Sequence, residues 1–396
     1  MFVLCLLSSL VASAGLIQLH PAADEVSQPG EFVFPLHDEH NHAPGIAELS
    51  DGSLIVSWYR GSGERTADDV AVWGSRLAAG ESEWSPPFLM ADTPGFPDCN
   101  TCMMVDDADR LWLFWPVIVA NSWESAITHY RVAAQPTGAG CPDWTRSGVI
   151  LLKPQDFADA ANEVLDQALE NLPRPLTERE EREVQSIRQR LSDKLYQRLG
   201  WQPRCKPTVL PSGRILLPLY SDTFSISIMA ISDDQGATWR AGRPIFGVGN
   251  IQPSVLRRDD GTLVAFMREN GVTGRLRVSE SKDDGETWSQ VTSAELLNPG
   301  SGVDAVRLRS GRWIIVFNDT IDGRHSLAVA SSIDEGRTWQ TVLHLEKHET
   351  GAYHYPAVIQ TSDDRIHVVY SYFVESGKTM KHVALTEEML TAGAAE

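Results

Sequence analysis

The octapeptide SDDQGATW at residues 232–239 returns as SKDDGETW at residues 281–288 and as SIDEGRTW at residues 332–339. All three copies fit the pattern Ser-x-Asp-x-Gly-x-Thr-Trp, and their first residues lie 49 and 51 positions apart by these numbers. Asp and Ser side chains bond backbone amides in turns, and Gly adopts conformations that other residues resist. We therefore predict that these octapeptides are folded turns, that each Trp packs its turn onto a sheet, and that the aspartates have a structural role.

A second repeat runs in step with the octapeptides and consists of six turn sequences, each followed by a short apolar run. The turns are Asp51-Gly52, Asp107–Asp109, Ser212-Gly213, Asp260-Gly261, Ser310-Gly311 and Asp363-Asp364. The runs are Leu54–Trp58, Leu111–Trp115, Ile215–Tyr220, Leu263–Met267, Trp313–Asn318 and Ile366–Tyr372. Apolar runs rich in β-branched and aromatic residues between turns are typical of strands, and their regular return is typical of propellers. The sequence predicts an all-β six-bladed β-propeller over residues 34–390.

Residues 157–199 interrupt this pattern with a stretch rich in Glu, Arg, Leu and Gln. We expect two amphipathic helices here, from Asp159 to Leu172 and from Thr177 to Leu199, because Asp and Thr often cap helix starts. This helical insertion falls between the second and third repeat units. The sequence leaves open whether it covers a pocket or packs on the outer rim, and we favour the rim.

The formal net charge of −19 excludes some classes of partner. Such a surface repels phosphate backbones and anionic lipids, so we expect neither nucleic acid nor a membrane surface as partner. After residue 14 no run approaches the 18 or more apolar residues of a membrane span. The sequence also indicates no cofactor and no standard metal site.

The first residues resemble a secretory signal. Residues 1–14 are apolar and end in Val11-Ala12-Ser13-Ala14, a small-residue pattern typical of a cleavage site, and residues 18–31 look like a loose leader. We therefore expect a secreted or periplasmic protein. In an oxidising compartment we also expect one or two disulfides, joining Cys99 or Cys102 to Cys141 or Cys205.

Several short runs resemble those of one known family. The octapeptides resemble the Asp boxes, or BNR repeats, of the sialidase (neuraminidase) superfamily. Residues 250–254 (NIQPS), 298–302 (NPGSG) and 355–360 (YPAVIQ) resemble runs in its bacterial and plant sialidase-like members. The resemblance covers residues 34–385. It implies a sialidase-like propeller and an exo-sialidase-like glycosidase acting on a terminal, acidic sugar of a glycan or oligosaccharide.

The resemblance also implies the residues of a site. Sialidases hold the substrate carboxylate with three arginines, attack through a tyrosine assisted by a glutamate, and use a first-blade aspartate as acid and base. Arg268 and Arg324 match the second and third arginines by their place in the repeats. Tyr355 matches the tyrosine, because it opens the strand before the last turn.

Three positions depart from the family pattern. His42-Ala43-Pro44 stands where the first arginine is expected, and Gln252, which cannot act as a base, stands where the glutamate is expected. In the first-blade loop, Glu64 and Asp69 are both candidates for the acid. We favour Glu64 or His42 as the proton carrier, since Asp69 directly precedes a strand and is also a candidate turn cap. These departures point to an acidic sugar other than sialic acid, such as a uronate, or to a different leaving group.

Further polar residues are weaker candidates. Lys206 is either a donor to an anionic sugar or a solvated lysine, and Asp304 and Asp222 are either partners of sugar hydroxyls or turn formers. His37, His40 and His42 suggest a metal, but their spacing fits no standard site. Two other functions stay open: a non-catalytic carbohydrate-binding propeller, and a uronate polysaccharide lyase in which Tyr355 and His42 act as acid and base.

Overall fold

The computed structural model describes residues 26–172 and 174–392, and it contains six antiparallel sheets arranged as the blades of a β-propeller. The six-bladed all-β prediction is confirmed. The predicted signal segment, residues 1–14, lies outside the described residues.

The blades surround a central channel and are numbered in chain order. Within each blade the strands are given from the one nearest the channel outward. Blade I contains His40–Glu48, Leu54–Gly61, Ala71–Leu77 and Phe88–Ala91. Blade II contains Cys102–Val105, Leu111–Ile118, Ala126–Ala133 and Arg146–Ile150. Blade III contains Trp201–Pro203, Thr208–Val209, Ile215–Ser221, Ile226–Ser232 and Arg240–Ala241, the first two pairing with the third. Blade IV contains Asn250–Arg257, Leu263–Glu269, Arg275–Ser281 and Thr292–Leu297. Blade V contains Asp304–Arg307, Trp313–Phe317, Ser326–Ser332 and Gln340–Lys347. Blade VI contains Ala352–Gln360, Ile366–Val374 and Gly377–Leu385.

The octapeptides form the turns that their chemistry predicts. Asp283 accepts hydrogen bonds from the Thr287 amide (2.9 Å) and hydroxyl (2.5 Å) and from the Ser281 hydroxyl (2.8 Å). In the first octapeptide, Gly236 has a φ of +79°, and a Cβ there would lie 2.1 Å from the Trp112 ring of the preceding blade. Glycine is therefore required both by the turn and by the close approach of two blades.

The apolar core lies between neighbouring blades rather than at the channel. Each pair of adjacent sheets encloses one cluster of buried residues, among them Trp112 between blades II and III and Trp313 between blades IV and V. Trp339 of the third octapeptide packs edge-on against Phe266 of the preceding blade, with ring centroids 5.3 Å apart. The octapeptide tryptophans thus join blades, which fixes the radial arrangement.

Two short N-terminal strands close the ring, which corrects the expectation of a loose leader through residue 31. Glu31–Phe32 pairs with Lys381 and His382 and becomes the outer strand of blade VI. Val26–Ser27 adds a fifth strand to blade V. Two of the blades are therefore completed by residues from the opposite end of the chain.

The inserted residues form three helices: α1 (Phe157–Glu170), α2 (Glu178–Ser192) and α3 (Lys194–Arg198). Thr177 caps α2 in a reciprocal capping box with Glu180. Buried residues of α1 and α2, including Phe157, Leu165 and Leu191, join the cluster of blades II and III. A further helix, α4, spans Glu387–Ala392, and no helix in the described part of the chain has the length and apolarity of a membrane crossing.

The expected disulfides are absent from the described residues, so this prediction was wrong. Cys99, Cys102, Cys141 and Cys205 are all free thiols. Cys205 is buried beside the channel, where its Sγ lies 3.2 Å from the Val303 carbonyl oxygen, whereas Cys141 lies in an exposed loop. An even number of cysteines in a sequence does not reveal that the expected partners fold into different surroundings.

Candidate functional site

Tyr355 lies at the centre of a polar cluster at one end of the channel. It belongs to the inner strand of blade VI and has a φ of +56° directly before Pro356, which interrupts the strand register. Its phenol oxygen accepts hydrogen bonds from Nη1 of Arg268 (2.6 Å) and Nε2 of Gln252 (3.1 Å). Two donors on one oxygen favour negative charge on that oxygen during a reaction.

The same backbone kink occurs in two other inner strands. Ala43 in blade I and Gln252 in blade IV have φ values of +55° and +56°, and each also precedes a proline. Positive φ is strained for a residue with a Cβ, and a following proline restricts the backbone further. Strain of this kind is concentrated at functional sites, and here it lies where blades I, IV and VI meet.

Arg268 and Arg324 come together at Tyr355. The guanidinium carbon of Arg324 lies 5.5 Å from the Tyr355 ring centroid, and that of Arg268 lies 5.9 Å from it. Arg324 donates to the Gly300 carbonyl at 2.9 Å. Burial lowers the pKa of Arg324 and the positive charge of Arg268 adds to this effect, whereas the Tyr355 side chain opposes it. An anion placed between the two arginines would therefore be stabilised by both positive charges.

A third arginine, Arg204, was missed by the sequence analysis. It is 2% exposed, and its guanidinium carbon lies 4.9 Å from the Tyr355 ring centroid. Its Nη2 donates to the Pro356 carbonyl at 2.9 Å, and its Nη1 contacts the Pro44 carbonyl at 3.4 Å. Arg204 thus supports the two kinked strands under Tyr355. The one signal in the sequence that could have revealed Arg204 was its position directly before Cys205 and the candidate binding residue Lys206.

Glu64 is held as a carboxylate in the blade I loop. It accepts a hydrogen bond from the Tyr59 hydroxyl at 2.7 Å and lies 3.1 Å from Nε2 of His40. Burial alone would raise the pKa of Glu64, but the contacts with His40 and Tyr59 outweigh it and lower the pKa. Glu64 is therefore suited to accept a proton or to bond a hydroxyl.

Asp69, the other acid of this loop, has a different environment. Its carboxylate accepts hydrogen bonds from the Ser62 amide and hydroxyl, the latter at 2.8 Å, and it is exposed. Through these hydrogen bonds Asp69 stabilises the loop that carries Glu64.

His42 and His354 form an uncharged aromatic wall beside Tyr355. The His42 ring centroid lies 4.2 Å from that of Tyr355, and its Nδ1 lies 2.8 Å from the Ser371 hydroxyl. Burial lowers the pKa of His42 well below 6.5, and the charges of His354 and His40 add to this effect. Burial and the charge of Arg324 likewise lower the pKa of His354. Both rings are therefore neutral at pH 7, and burial makes them weaker bases than a free histidine.

Lys206 and Asp304 bind each other inside the channel. Nζ of Lys206 lies 2.7 Å from Oδ2 of Asp304, which also accepts from the Val358 amide at 2.9 Å. Both line a channel cavity of about 10 Å³ whose lining includes Arg204 but not Tyr355. As substrate-binding candidates they therefore lie apart from the Tyr355 cluster, and in this structure they join blades III, V and VI.

Asp222 follows the strand Ile215–Ser221 of blade III, and the charges of Arg268 and Arg65 act on its carboxyl group. Burial raises the pKa of Asp222 to about 6, against the lowering influence of Arg268. Nε2 of Gln202 donates to its Oδ2 at 2.9 Å. The sequence suggested only a hydroxyl partner or a turn former. A carboxyl group that is partly protonated near neutral pH is suited to general-acid chemistry.

The N-terminal histidines do not form a metal site in the structure. His37 pairs with Glu39, His40 with Glu64, and His42 with Ser371. Residues 26–172 and 174–392 contain no group of three or more His, Cys, Asp or Glu side chains placed to hold a metal ion.

Comparisons with known proteins support this architecture. A family model described as "BNR repeat-like domain" matches residues 191–368. A sialidase of Micromonospora viridifaciens is 26% identical over 123 residues, which is 28% of this chain and 19% of that protein. The chain therefore matches about one fifth of that relative's length.

Solved structures match over most of the chain. A Dyadobacter fermentans protein of unknown function is 15% identical with a TM-score of 0.67, and the match covers 92% of this chain and 99% of that one. A Streptococcus pneumoniae sialidase is 13% identical with a TM-score of 0.66, covering 91% and 71%. At these identities the structural matches establish the fold.

The repeats, the six blades and the match of residues 191–368 to the BNR repeat-like domain define the class: this chain is a six-bladed β-propeller with BNR-like repeats, similar to sialidases in its fold. What it does with that fold depends on the residues around Tyr355.

Proposed function

We propose that this protein is a glycoside hydrolase acting on a terminal acidic sugar of a glycan, with Arg268 and Arg324 binding the sugar carboxylate. The observation that carries the proposal is the convergence of both guanidinium groups on the Tyr355 side chain, within 6 Å of its ring centroid. Planar guanidinium groups suit carboxylates because they donate paired hydrogen bonds.

The neighbouring groups can divide the chemistry. Tyr355 stabilises or attacks the anomeric carbon, and Arg268 and Gln252 offset the charge on its oxygen. The neutral His42 ring, or the Glu64 carboxylate, accepts the proton lost by Tyr355 when it attacks, or by the water that attacks the sugar and completes hydrolysis. Asp222, with its pKa of about 6, donates a proton to the leaving oxygen. Gln202 holds Asp222 in place for this step.

Two alternatives have a specific observation in their favour. Gln252 donates to the Tyr355 oxygen and cannot remove its proton, which is compatible with a binding propeller without catalysis. The neutral His42 against Tyr355 is compatible with a lyase acting on uronate polymers.

The test is a screen of the purified protein against fluorogenic sialosides, uronides and neutral glycosides, with absorbance at the wavelength of unsaturated uronates followed in parallel. We expect release of an acidic sugar, abolished by the double substitution Arg268→Ala and Tyr355→Phe. Arg365→Ala, in an exposed turn of blade VI, is the control and should leave the rate unchanged. Full turnover by the double variant would refute the site. An unsaturated product would establish the lyase, and saturable binding with no product would establish the binding propeller.

A further inference from the structure

A second concave surface lies outside the channel, between the helical insertion and blades III and IV. It encloses about 730 Å³, within the range of roughly 300–1,000 Å³ typical of small-molecule sites. Its walls include Leu165 of α1, Ile187 of α2, Phe224 and Val291. We call it the insertion groove. Tyr355, Arg268 and Arg324 do not line it, so it is distinct from the candidate active site.

The charges of the insertion groove are all of one sign. Its charged lining residues, within the described part of the chain, are Arg243 and Arg277. The whole protein carries a formal charge of −19, so an exclusively positive concave surface is not what its average composition predicts. Arg243 is exposed at the rim, and its guanidinium has no ion pair with a described residue. An anion in the groove would therefore meet an unneutralised charge.

Arg277 lies deeper and is incompletely satisfied. It is 7% exposed; its Nη1 donates to the Ser293 hydroxyl, and its Nε has no hydrogen-bond partner among residues 26–172 and 174–392. The acid whose charge reaches it is Glu269, but that carboxylate is bound by the Gly271 amide and the Thr273 hydroxyl. Burial lowers the pKa of Arg277, and Glu269 only partly opposes this. A carboxylate ligand would accept a hydrogen bond from this unused N–H group and so remove the cost of leaving it buried without a partner.

Thr223 gives a further unused polar group at the same wall. Its hydroxyl is buried, lines the groove and has no hydrogen-bond partner among the described residues. The remaining lining residues are mostly apolar, and the other polar ones are Gln167, Asn171, Thr273, Thr287, Ser289 and Gln290. The groove therefore offers a few polar contacts within an apolar lining, the usual pattern of a small-molecule site.

We propose that the insertion groove binds an amphipathic carboxylate, with its apolar body against Leu165, Phe224 and Val291 and its carboxylate at Arg277 and Arg243. The ligand class follows from the charge complementarity and from the apolar walls. A neutral apolar molecule would leave Arg243 without a counter-ion and Nε of Arg277 without a hydrogen-bond partner, and a small polar anion would leave the walls in contact with water.

The test titrates dodecanoate and dodecanol, which share one apolar chain, into the full-length protein below their aggregation limits. Binding is followed calorimetrically and by the intrinsic tryptophan fluorescence, to which Trp288 in the groove contributes. We expect saturable binding of dodecanoate, about tenfold tighter than dodecanol. Arg277→Gln and Arg243→Gln should each remove most of this preference while leaving dodecanol affinity unchanged. Because Arg243 is exposed, its variant keeps the test valid if Arg277→Gln does not fold.

Two further variants locate the site independently of the proposed glycosidase activity. Arg365→Gln removes an exposed arginine elsewhere and should change neither affinity. Arg268→Ala should leave dodecanoate binding intact, since Arg268 lies in the channel cluster. Equal affinities for the two probes, no saturable dodecanoate binding, or loss of binding in Arg268→Ala would each overturn the proposal. Failure of the glycoside screen would not affect it.

Discussion

Asp222 and Glu64 are two carboxyl groups at one channel mouth, and their surroundings move their pKa values in opposite directions. Burial raises the pKa of Asp222 to about 6, whereas contacts with His40 and Tyr59 lower that of Glu64 despite its burial. Such a separation is how one site provides both an acid and a base.

We expect this difference to control the pH dependence of glycoside release. As a general acid Asp222 must be protonated, so kcat/KM should fall about tenfold per pH unit above pH 6. Asp222→Asn should lower activity at pH 5 and remove this limb of the profile. Glu64→Gln is the paired control and should lower activity without removing the limb. If Glu64→Gln alone removes it, the roles of the two groups are reversed.

We expect Lys206 and Asp304 to contribute more to stability than to substrate binding. Lys206→Met should leave a buried carboxylate without its counter-ion, which costs about 3–5 kcal/mol for a fully buried pair. Because Lys206 is 25% exposed, we expect about 3 kcal/mol, measured as the free energy of unfolding in urea.

The control for this substitution is Lys282→Met, which changes an exposed lysine of an octapeptide turn. It should change the free energy of unfolding by less than about 0.5 kcal/mol. Equal stabilities of Lys206→Met and Lys282→Met would contradict the role assigned to the channel pair.

The strand Glu31–Phe32 closes blade VI through a polar chain as well as through backbone pairing. Nδ1 of His382 lies 2.6 Å from Oε1 of Glu31, and its Nε2 lies 2.8 Å from Nδ1 of His367. Burial would raise the pKa of Glu31, but the contact with His382 outweighs it and lowers the pKa below 4.5. A carboxyl group with a lowered pKa stabilises the fold above its unfolded pKa, and this contribution disappears as pH falls through the folded value.

We therefore expect Glu31→Gln to reduce the free energy of unfolding by about 1 kcal/mol at pH 7, a value reduced for the solvent exposure of Glu31. The difference from wild type should begin to shrink as pH falls below about 4.5 and vanish once pH is below the folded pKa of Glu31. The exposed substitution Glu83→Gln should have no effect at either pH. A destabilisation by Glu31→Gln that is independent of pH would show that its charge is not involved.

Elements with local chemistry were predictable from the sequence, and elements that depend on distant contacts were not. Each octapeptide turn is determined by contacts among its own eight residues. The turns therefore revealed the blades from the sequence, and with them the places of Arg268 and Arg324 within the repeats. Arg204 and Asp222 become site residues only through contacts with other blades. The closing strands were missed because two-residue strands have no periodicity to detect.

At the scale of the molecule, the reactivity of the four described cysteines depends on how the whole ring packs around them. Burial raises the pKa of Cys205 to about 12 and that of Cys102 well above 9. Cys141 is exposed. A thiol reagent at pH 8 should therefore label Cys141 in the folded protein, and Cys99, Cys102 and Cys205 only after denaturation.

Peptide mapping by mass spectrometry, without prior reduction, measures this pattern. The disulfide expectation failed because it used the compartment and an even count, while the structure separates the thiols by environment. Recovery of a disulfide-linked peptide pair would restore the original expectation. Rapid labelling of Cys205 in the folded protein would show that the channel is open to the reagent.

The kinks at Ala43, Gln252 and Tyr355 have a thermodynamic consequence for recognition. Their dihedral angles are set by the closed ring, so the conformational entropy of these residues is lost when the chain folds and not when a ligand arrives. Association at this end of the channel should then show little ordering of the protein. The heat capacity change of binding should therefore reflect mainly the apolar surface of the ligand that becomes buried in the site.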